Sequence, residues 1–289
     1  MSRIVFVHGI AQEVVGPESL LAEWYPALCD GLALAGGDRP ARDEVAMAFY
    51  GDLFRPAGHR GTGTPELDAS DVEEGLEEEL LLQWWEYAAR IDPRLPGPQD
   101  RVRLRTPYPV QRALDALSHS AFFAGAGERL MIGAARQVRR YFTEPRTRAE
   151  VRERFERALT DRTRVVVAHS LGSVVAYEAL CADPARPDVV LVTLGSPLGV
   201  RNLVFDRLVP PPHAGRGRWP ASVRQWVNIA DRGDLVALAK DLAPLFGDRV
   251  RDVPIHNGAR AHDVRPYLTA RECGAAIGGA LAHGSHGSC

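Results

Sequence analysis

Cysteine is scarce in this chain of 289 residues, which contains four, none of them in a Cys-x-x-Cys pair. Cys29, Cys181, Cys273 and Cys289 are too widely spaced for the paired ligands of a structural zinc site. A chain of this length buries roughly three-quarters of its unfolded surface, so its core does not need disulfides. We therefore expect free thiols and no metal site.

The chain also lacks an excess of basic charge and any long apolar run. Its formal net charge is −2, and Lys240 is the one lysine among 35 basic residues, a bias that we attribute to genome composition. No stretch approaches the roughly 18 uncharged apolar residues of a membrane span. The apolar run at residues 4–7 is shorter than the roughly seven residues of a secretory signal. These absences predict a cytoplasmic protein without nucleic-acid binding or stable membrane insertion.

The hydrophobic fraction of 45% and the charged fraction of 25% are ordinary for a globular protein. Short β-branched segments alternate with helical patterns, which is typical of a mostly parallel sheet covered by helices on both faces. We predict one α/β domain spanning residues 1–289. The six predicted strands lie at residues 4–7, 44–50, 164–167, 189–193, 223–230 and 250–255. The predicted helices around them lie at residues 17–34, 173–182, 235–246 and 264–281.

A helical insertion at residues 51–161 separates the second and third predicted strands. Its helices are predicted at residues 68–90, 109–117 and 128–142, and residues 148–159 lead into the third strand. The first helix is acidic and residues 136–164 are rich in arginine, and we interpret both as solvated faces that partly pair. The carboxyl ends of the flanking strands border the ligand crevice in such sheets, so we expect the insertion to form a cap.

The strongest functional signal is Ala168-His169-Ser170-Leu171-Gly172, between the third strand and a helix. Such a tight turn forces the serine into strained backbone angles, and small residues two positions before and after it avoid a clash. Alanine at 168 is the mildest departure from the glycine usual there. The pattern predicts an exposed Ser170 hydroxyl at a helix N-terminus, where N–H groups stabilise developing negative charge. The alternative is an ordinary helix-capping serine.

With this motif the chain resembles the α/β-hydrolase superfamily, in its lipase-like branch. Residues 168–172 are similar to the lipase nucleophile elbow, and Phe6-Val7-His8-Gly9-Ile10 to the His-Gly oxyanion loop. Residues 192–199 are similar to a Gly-Ser-Pro stretch, and residues 226–236 to the strand and loop that bear the catalytic acid. The resemblance does not cover the insertion. It implies a catalytic triad in the order serine, acid, histidine.

A serine nucleophile needs a histidine to take its proton, and the histidine needs a carboxylate to hold its tautomer. Two aspartates are candidates for this carboxylate. Asp231 ends the fifth strand. Asp234 follows three residues later and precedes Leu-Val, as the acid commonly does in the family, and we favour it. Each aspartate also suits an ordinary role, Asp231 in a turn and Asp234 as a helix cap.

Four histidines follow the acid and qualify as the base by their order in the sequence. His262 stands just before the final helix, where the resemblance places the base, and we favour it over His256 in the turn after the last strand. Asp263 can cap the final helix. His283 and His286 lie at or in a frayed C-terminal tail, and we discount them.

An oxyanion hole needs two N–H donors, and the resemblance implies that Leu171 supplies one. The other is expected from Ile10 or Ala11, after a turn that Gly9 permits. We interpret His8 and His169 as residues that orient loops rather than general bases. Several aromatic side chains are candidates for an acyl pocket, although each is more often a core residue: Trp84, Trp85, Phe122, Phe123 and Tyr267.

The sequence thus predicts hydrolysis of a carboxylic ester or thioester through an acyl-serine intermediate, on a small acyl-ester or lipid-like substrate and without a cofactor. An acyltransferase that uses the same serine is one alternative. A catalytically silent α/β-hydrolase fold that binds a partner is the other.

Overall fold

The computed structural model describes residues 2–55, 67–98, 109–120, 127–183 and 188–282. Phe122, Phe123, His283, His286 and Cys289 lie outside the described residues. The strands are β1 Ile4–Val7, β2 Val45–Ala48, β3 Val165–His169, β4 Val189–Leu194, β5 Val223–Asp231 and β6 Val250–Ile255. The helices are α1 Pro17–Leu34, α2 Leu76–Ile91, α3 Pro109–Ser118, α4 Glu128–Thr143, α5 Pro145–Ala158, α6 Leu171–Ala182, α7 Ala243–Phe246, α8 Val264–Thr269 and α9 Arg271–Ala282.

The six strands form one sheet in the order β2-β1-β3-β4-β5-β6, and every pair is parallel. The predicted α/β class is confirmed, with an all-parallel sheet, and the architecture is consistent with an α/β-hydrolase-like fold. After β1 the chain moves to one side of the sheet, and from β3 onward it moves to the other. The carboxyl ends of β1 and β3 therefore flank the switch point, where open sheets of this kind bind ligands.

The sheet is buried on both faces because successive side chains point in opposite directions. In β1, Ile4 and Phe6 contact the helical layer of α1, α8 and α9, whereas Val5 and Val7 belong to the core on the other face. The same alternation runs through β3, which explains its unbroken run of valines. The two apolar layers fix the sheet between helices, so its carboxyl edge is a rigid platform.

The insertion divides into two parts. Helices α2, α3 and α4 pack on one another, whereas α5 packs on α6 and β2 as a crossover helix of the sheet does. We call α2, α3 and α4 the cap helices. Their buried side chains share one continuous core with the sheet, since Leu80 and Trp84 belong to the same cluster as Val7 and Leu171.

The acidic and arginine-rich segments meet inside the cap. Glu77 of α2 is fully buried, and its Oε1 accepts a hydrogen bond from Arg139 Nε of α4 at 2.7 Å. Arg136 lies 3.9 Å from the same oxygen. The prediction of partial pairing thus agrees with the structure, but Glu77 is part of the interior rather than of a solvated face.

The predicted helix at residues 235–246 is wrong, and only the single turn α7 is helical there. Side chains of two strands bind the backbone groups that a helix would use. Asp252 of β6 accepts hydrogen bonds from the N–H groups of Leu242 and Ala243, both at 2.9 Å. Asn228 of β5 donates to the Lys240 carbonyl at 2.8 Å.

Two other predicted helices are shorter than expected. Residues 264–281 form two helices, because Ala270 is extended at ψ 134° and lets both α8 and α9 pack against α1. The contact is close: a Cβ on Gly274 would lie 1.9 Å from the Gly31 carbonyl oxygen. The helix predicted from residue 68 begins at Leu76, after Gly75 with φ 93°.

A buried ion pair ties the insertion to the helix that follows β3. The carboxylate of Glu178 in α6 accepts hydrogen bonds from Arg148 of α5, from Tyr141 of α4 at 2.8 Å and from the Val209 N–H at 3.0 Å. Arg148 Nη2 also donates to the Arg207 carbonyl at 2.8 Å. Removing one partner leaves a buried charge without compensation, which is far more costly than losing a surface pair.

We expect Glu178→Gln to lower the free energy of unfolding by about 3 kcal/mol, because Arg148 then loses its counter-charge in the interior. Glu153→Gln is the matched control, since its pair with Arg157 is exposed and should contribute less than about 0.5 kcal/mol. Urea denaturation followed by circular dichroism measures both. Equal losses in the two variants would contradict the structural role given to Glu178.

Candidate active site

Ser170 occupies the turn between β3 and α6 with φ 54° and ψ −130°. A non-glycine residue held in such a region costs about 1–3 kcal/mol and persists only where its surroundings fix it. Here the Ser170 N–H donates to the Leu194 carbonyl at the end of β4, at 3.0 Å. On the other side, Gly172 allows close contact, since a Cβ there would lie 2.4 Å from the His8 carbonyl oxygen. The loop after β1 therefore packs directly on the first turn of α6.

The Ser170 side chain is buried, with 2% of the residue exposed, so the prediction of an exposed hydroxyl is wrong. It lines a cavity of about 30 Å³, and the other described residues of the lining are apolar. Leu80 and Trp84 of α2 and Val138 of α4 form the cap side of that cavity. Because the cap lies over the elbow, the serine faces an apolar interior instead of bulk water.

Asp234 and His262, the favoured acid and base, form a hydrogen-bonded pair. The distance between His262 Nδ1 and Asp234 Oδ2 is 2.7 Å. The other carboxylate oxygen accepts hydrogen bonds from the N–H groups of Val236 at 2.8 Å and Ala237 at 3.3 Å. Burial acts to raise the pKa of Asp234, but the His262 imidazole, the Lys240 ammonium and the Val236 N–H together hold this pKa below its ordinary value. The charged carboxylate keeps the proton of His262 on Nδ1, which makes Nε2 the basic nitrogen.

Two neighbours bring this pair to the elbow. His169 Nε2 lies 2.9 Å from the His262 carbonyl oxygen, and the two imidazole rings are 4.6 Å apart between centroids. Gly195, in the predicted Gly-Ser-Pro stretch, follows the residue that accepts the Ser170 N–H. A Cβ on Gly195 would lie 2.6 Å from Asp234 Oδ2 and 3.1 Å from His262 Nδ1, and its φ is 55°. Only glycine leaves room for the pair at this point.

Tyr267 and Lys240 both hold Asp234, a role that the sequence analysis assigns to neither residue. The Tyr267 hydroxyl donates to Asp234 Oδ2 at 2.8 Å and accepts from the Asp231 N–H at 2.8 Å. Tyr267 is thus a support of the acid rather than a pocket residue. Lys240 Nζ donates to the Asp234 carbonyl and lies 5.2 Å from the centroid of the Tyr87 ring in α2. Tyr267 thus connects the loop that carries Asp234 to α8, and the contact between Lys240 and Tyr87 connects this loop to the cap.

The side chains of the alternates, Asp231 and His256, make contacts of a different kind. The carboxylate of Asp231 accepts hydrogen bonds from the N–H groups of Gly233 and Asn257, as expected of a turn residue. His256 Nδ1 is 3.8 Å from Asp231, but the His256 side chain is 81% exposed. The structure pairs His262 with Asp234, and it leaves the alternate histidine at the surface.

The candidate oxyanion loop follows β1. Both ring nitrogens of His8 bind backbone: Nε2 accepts from the Tyr50 N–H at 3.0 Å, so Nδ1 carries the proton and donates to the Gly9 carbonyl at 2.7 Å. Burial lowers the pKa of His8 to about 4. A Cβ on Gly9 would lie 2.7 Å from Ser170 Cβ, so the loop contacts the elbow at Gly9. These are the contacts of a residue that orients a loop.

The two predicted donors differ in their surroundings. Leu171 is the first residue of α6, directly after Ser170. Ile10 lines the cavity together with Ser170 and Leu171. The alternative donor, Ala11, is occupied, because its N–H donates to Gln137 Oε1 of α4 at 3.0 Å. Ile10 is therefore the remaining candidate in the loop.

The described aromatic candidates for the pocket separate as well. Trp84 lines the cavity, whereas the Trp85 indole packs in the cap and donates to the Pro96 carbonyl at 2.7 Å. Asp263 caps α8 by accepting from the Arg265 N–H at 3.0 Å, as predicted. Within the described part of the chain, no three acidic, histidine or cysteine side chains are grouped to hold a metal. No helix among those residues is both long enough and apolar enough to cross a bilayer.

Comparison of the chain with family models and with curated proteins finds no match.

Two buried histidines make stability depend on pH. Burial, reinforced by neighbouring His262, lowers the pKa of His169 to about 3, and that of His8 is about 4. Between pH 6.5 and 4 the unfolded chain binds protons at these histidines that the folded chain does not. We expect the free energy of unfolding to fall as the pH is lowered through this window, by about 3 kcal/mol for His8 alone.

Urea denaturation at several pH values checks this expectation. His8→Gln should give a shallower fall than the wild type, whereas His256→Gln should leave the slope unchanged because that side chain is exposed. A slope that is the same in all three proteins would contradict the assignment.

Proposed function

We propose that the protein is a serine hydrolase that cleaves a carboxylic ester or thioester through an acyl-serine intermediate. One observation carries the proposal: Ser170 has the strained backbone of a nucleophile elbow, and the hydrogen-bonded Asp234–His262 pair contacts the elbow through His169. The elbow lies at the switch point of an all-parallel sheet, where such folds bind ligands. We also propose membership of the α/β-hydrolase superfamily, in its lipase-like branch.

In the proposed reaction, His262 Nε2 takes the proton from the Ser170 hydroxyl as Oγ attacks the acyl carbon. The carboxylate of Asp234 stabilises the imidazolium that results, through the 2.7 Å hydrogen bond to Nδ1. His262 then returns the proton to the leaving alcohol or thiol. In the second half of the cycle, water loses its proton to His262 and attacks the acyl carbon, and Ser170 recovers its proton.

The negative charge on the acyl oxygen is taken up by N–H groups. Leu171 begins α6, so its N–H points along the helix toward the positive end of the helix dipole. Ile10 supplies the second N–H, from a loop that contacts the elbow at Gly9. Donors built into the backbone need no reorganisation as the charge develops.

The apolar cavity beside Ser170 supports an uncharged acyl group of small size. Among the described residues its lining includes Leu80, Trp84 and Val138 from the cap and no charged side chain. A volume of about 30 Å³ holds only a few heavy atoms. Longer, lipid-like acyl chains require the lining side chains to move.

A second candidate function is acyl transfer to an alcohol, an amine or a thiol. The observation that favours it is the 2% exposure of Ser170, because a covered acyl-serine is protected from water. Adding a primary alcohol during turnover, with mass spectrometry of the products, separates the two reactions.

Free Cys29, Cys181 and Cys273 support a reducing compartment, and we propose the cytoplasm.

The direct test is labelling with a fluorophosphonate probe, followed by mass spectrometry of the adduct. We expect one adduct on Ser170, none in Ser170→Ala, and turnover of p-nitrophenyl acetate that exceeds turnover of the octanoate. Ser170→Ala should keep its circular dichroism spectrum and lose turnover. An unlabelled wild type that is inert toward all these esters would overturn the proposal and favour a silent binding fold.

The choice of acid gives a matched pair of variants. Asp234→Asn should lower kcat by about three orders of magnitude, because the amide no longer stabilises the protonated His262. Asp231→Asn changes a turn carboxylate of equal burial and should leave kcat within about threefold of the wild type. Steady-state kinetics on p-nitrophenyl acetate measures both. Similar losses in the two variants would contradict the assignment of Asp234.

A further inference from the structure

The N–H of Ile10 belongs to the peptide group between Gly9 and Ile10. In a trans peptide the N–H points opposite to the carbonyl oxygen, so fixing one end fixes the other. His8 Nδ1 donates to the Gly9 carbonyl at 2.7 Å. The buried, neutral imidazole of His8, directly after β1, therefore helps to fix the direction of the Ile10 N–H.

The next peptide group, between Ile10 and Ala11, is held at its N–H from the cap, whereas its carbonyl accepts from Gln12 Nε2 of the same loop at 3.3 Å. Gln137 Oε1 of α4 accepts the Ala11 N–H at 3.0 Å. Ala11 has φ 61°, in the left-handed region that an alanine rarely adopts. A strained residue needs contacts that hold it, and at Ala11 the hydrogen-bond partner comes from the insertion rather than from the sheet.

The amide of Gln137 has only one orientation that satisfies its neighbours. Its oxygen faces an N–H donor, and its nitrogen donates to Glu13 Oε2 at 2.9 Å. In the flipped amide, the NH₂ group would face the Ala11 N–H, and the oxygen would face the Glu13 carboxylate, so neither contact would be a hydrogen bond. Gln137 is 7% exposed, so water does not readily replace either partner.

The adjacent residue of the same helix, Val138, lines the cavity beside Ser170. One turn of α4 therefore contacts both the space for the acyl group and the loop that carries the Ile10 N–H. A shift of this turn changes the two together.

We propose that Gln137 is a positioning residue, which holds the oxyanion loop so that the Ile10 N–H points at the acyl oxygen only while the cap is seated on the loop. This inference rests on the proposed hydrolase function and adds a dependence of the oxyanion hole on the cap. Gln137 does not touch the substrate, and it acts through Ala11.

The test compares Gln137→Met, which keeps the length of the side chain and removes the acceptor, with wild-type enzyme. We expect kcat for p-nitrophenyl acetate to fall about 10- to 100-fold, with KM within about threefold, because the loss is confined to the transition state. The affinity for a boronic acid, whose adduct with Ser170 is tetrahedral, should fall by a similar factor. Arg136→Met, the preceding residue of α4, should leave kcat within about twofold, since Arg136 pairs with Glu77.

A charge exchange keeps the test valid if Gln137→Met folds poorly. Gln137→Glu places two carboxylates together at Glu13 and should lose kcat to a similar extent. The double variant Gln137→Glu with Glu13→Gln keeps a carboxylate acceptor for the Ala11 N–H and replaces the repulsion between two carboxylates by an amide donor at residue 13. It should recover kcat to within about threefold of wild type.

The outcomes separate this inference from the hydrolase proposal. A wild type that neither labels nor turns over the ester overturns the hydrolase function, and the positioning role with it. A reactive wild type with unchanged kcat in Gln137→Met overturns the positioning role alone. The positioning role is also overturned if the double variant does not recover kcat, or if KM changes by as large a factor as kcat.

Discussion

Ser170 holds a backbone conformation that most residues avoid, and much of the carboxyl edge of the sheet is arranged around it. The bond from its N–H to the Leu194 carbonyl fixes it to β4, and the close contact of Gly172 with the His8 carbonyl fixes it to the loop after β1. Two neighbouring strands thus hold the elbow from opposite sides. The strain is tolerated because these contacts belong to a buried parallel sheet, which does not relax locally.

Close packing likewise fixes the Asp234–His262 pair. Asp234 is fully buried, and its two carboxylate oxygens accept hydrogen bonds from His262, from Tyr267 and from backbone N–H groups. A buried carboxylate without such partners would become protonated, and it would then lose its hold on the histidine tautomer. Gly195 lets these groups approach, and Tyr267 links them to the turn at Asp231. Three separate segments of the chain therefore surround the pair: the turn at Gly195, the loop at residues 236–237 and helix α8.

The sequence predicted those features that depend on neighbours along the chain. Runs of β-branched residues are local and predict the six strands, and small residues within five positions predict the turn at Ser170. The preference for Asp234 and His262 came from the resemblance, and the structure brings these two side chains together. Their catalytic roles stay predictions.

The remaining features depend on contacts that the sequence does not encode locally. The burial of Ser170 follows from how α2 and α4 pack over the elbow, and periodicity does not predict the docking of a helix. The missing helix after Asp234 follows from Asn228 and Asp252 binding its backbone from other strands. The role of Tyr267 had one available signal, its position one turn after the capping residue Asp263, but its partner lies 33 residues earlier.

Lys240 gives the chain a single amine on a side chain, and its position makes that amine unusual. The ammonium lies between the Asp234 carbonyl and the face of the Tyr87 ring, where the acid-bearing loop meets α2. Burial lowers the pKa of Lys240, although nearby Asp234 and Asp231 oppose this shift. An isotope or fluorine tag attached through lysine chemistry would consequently report on one junction of the molecule, without background from any other side chain.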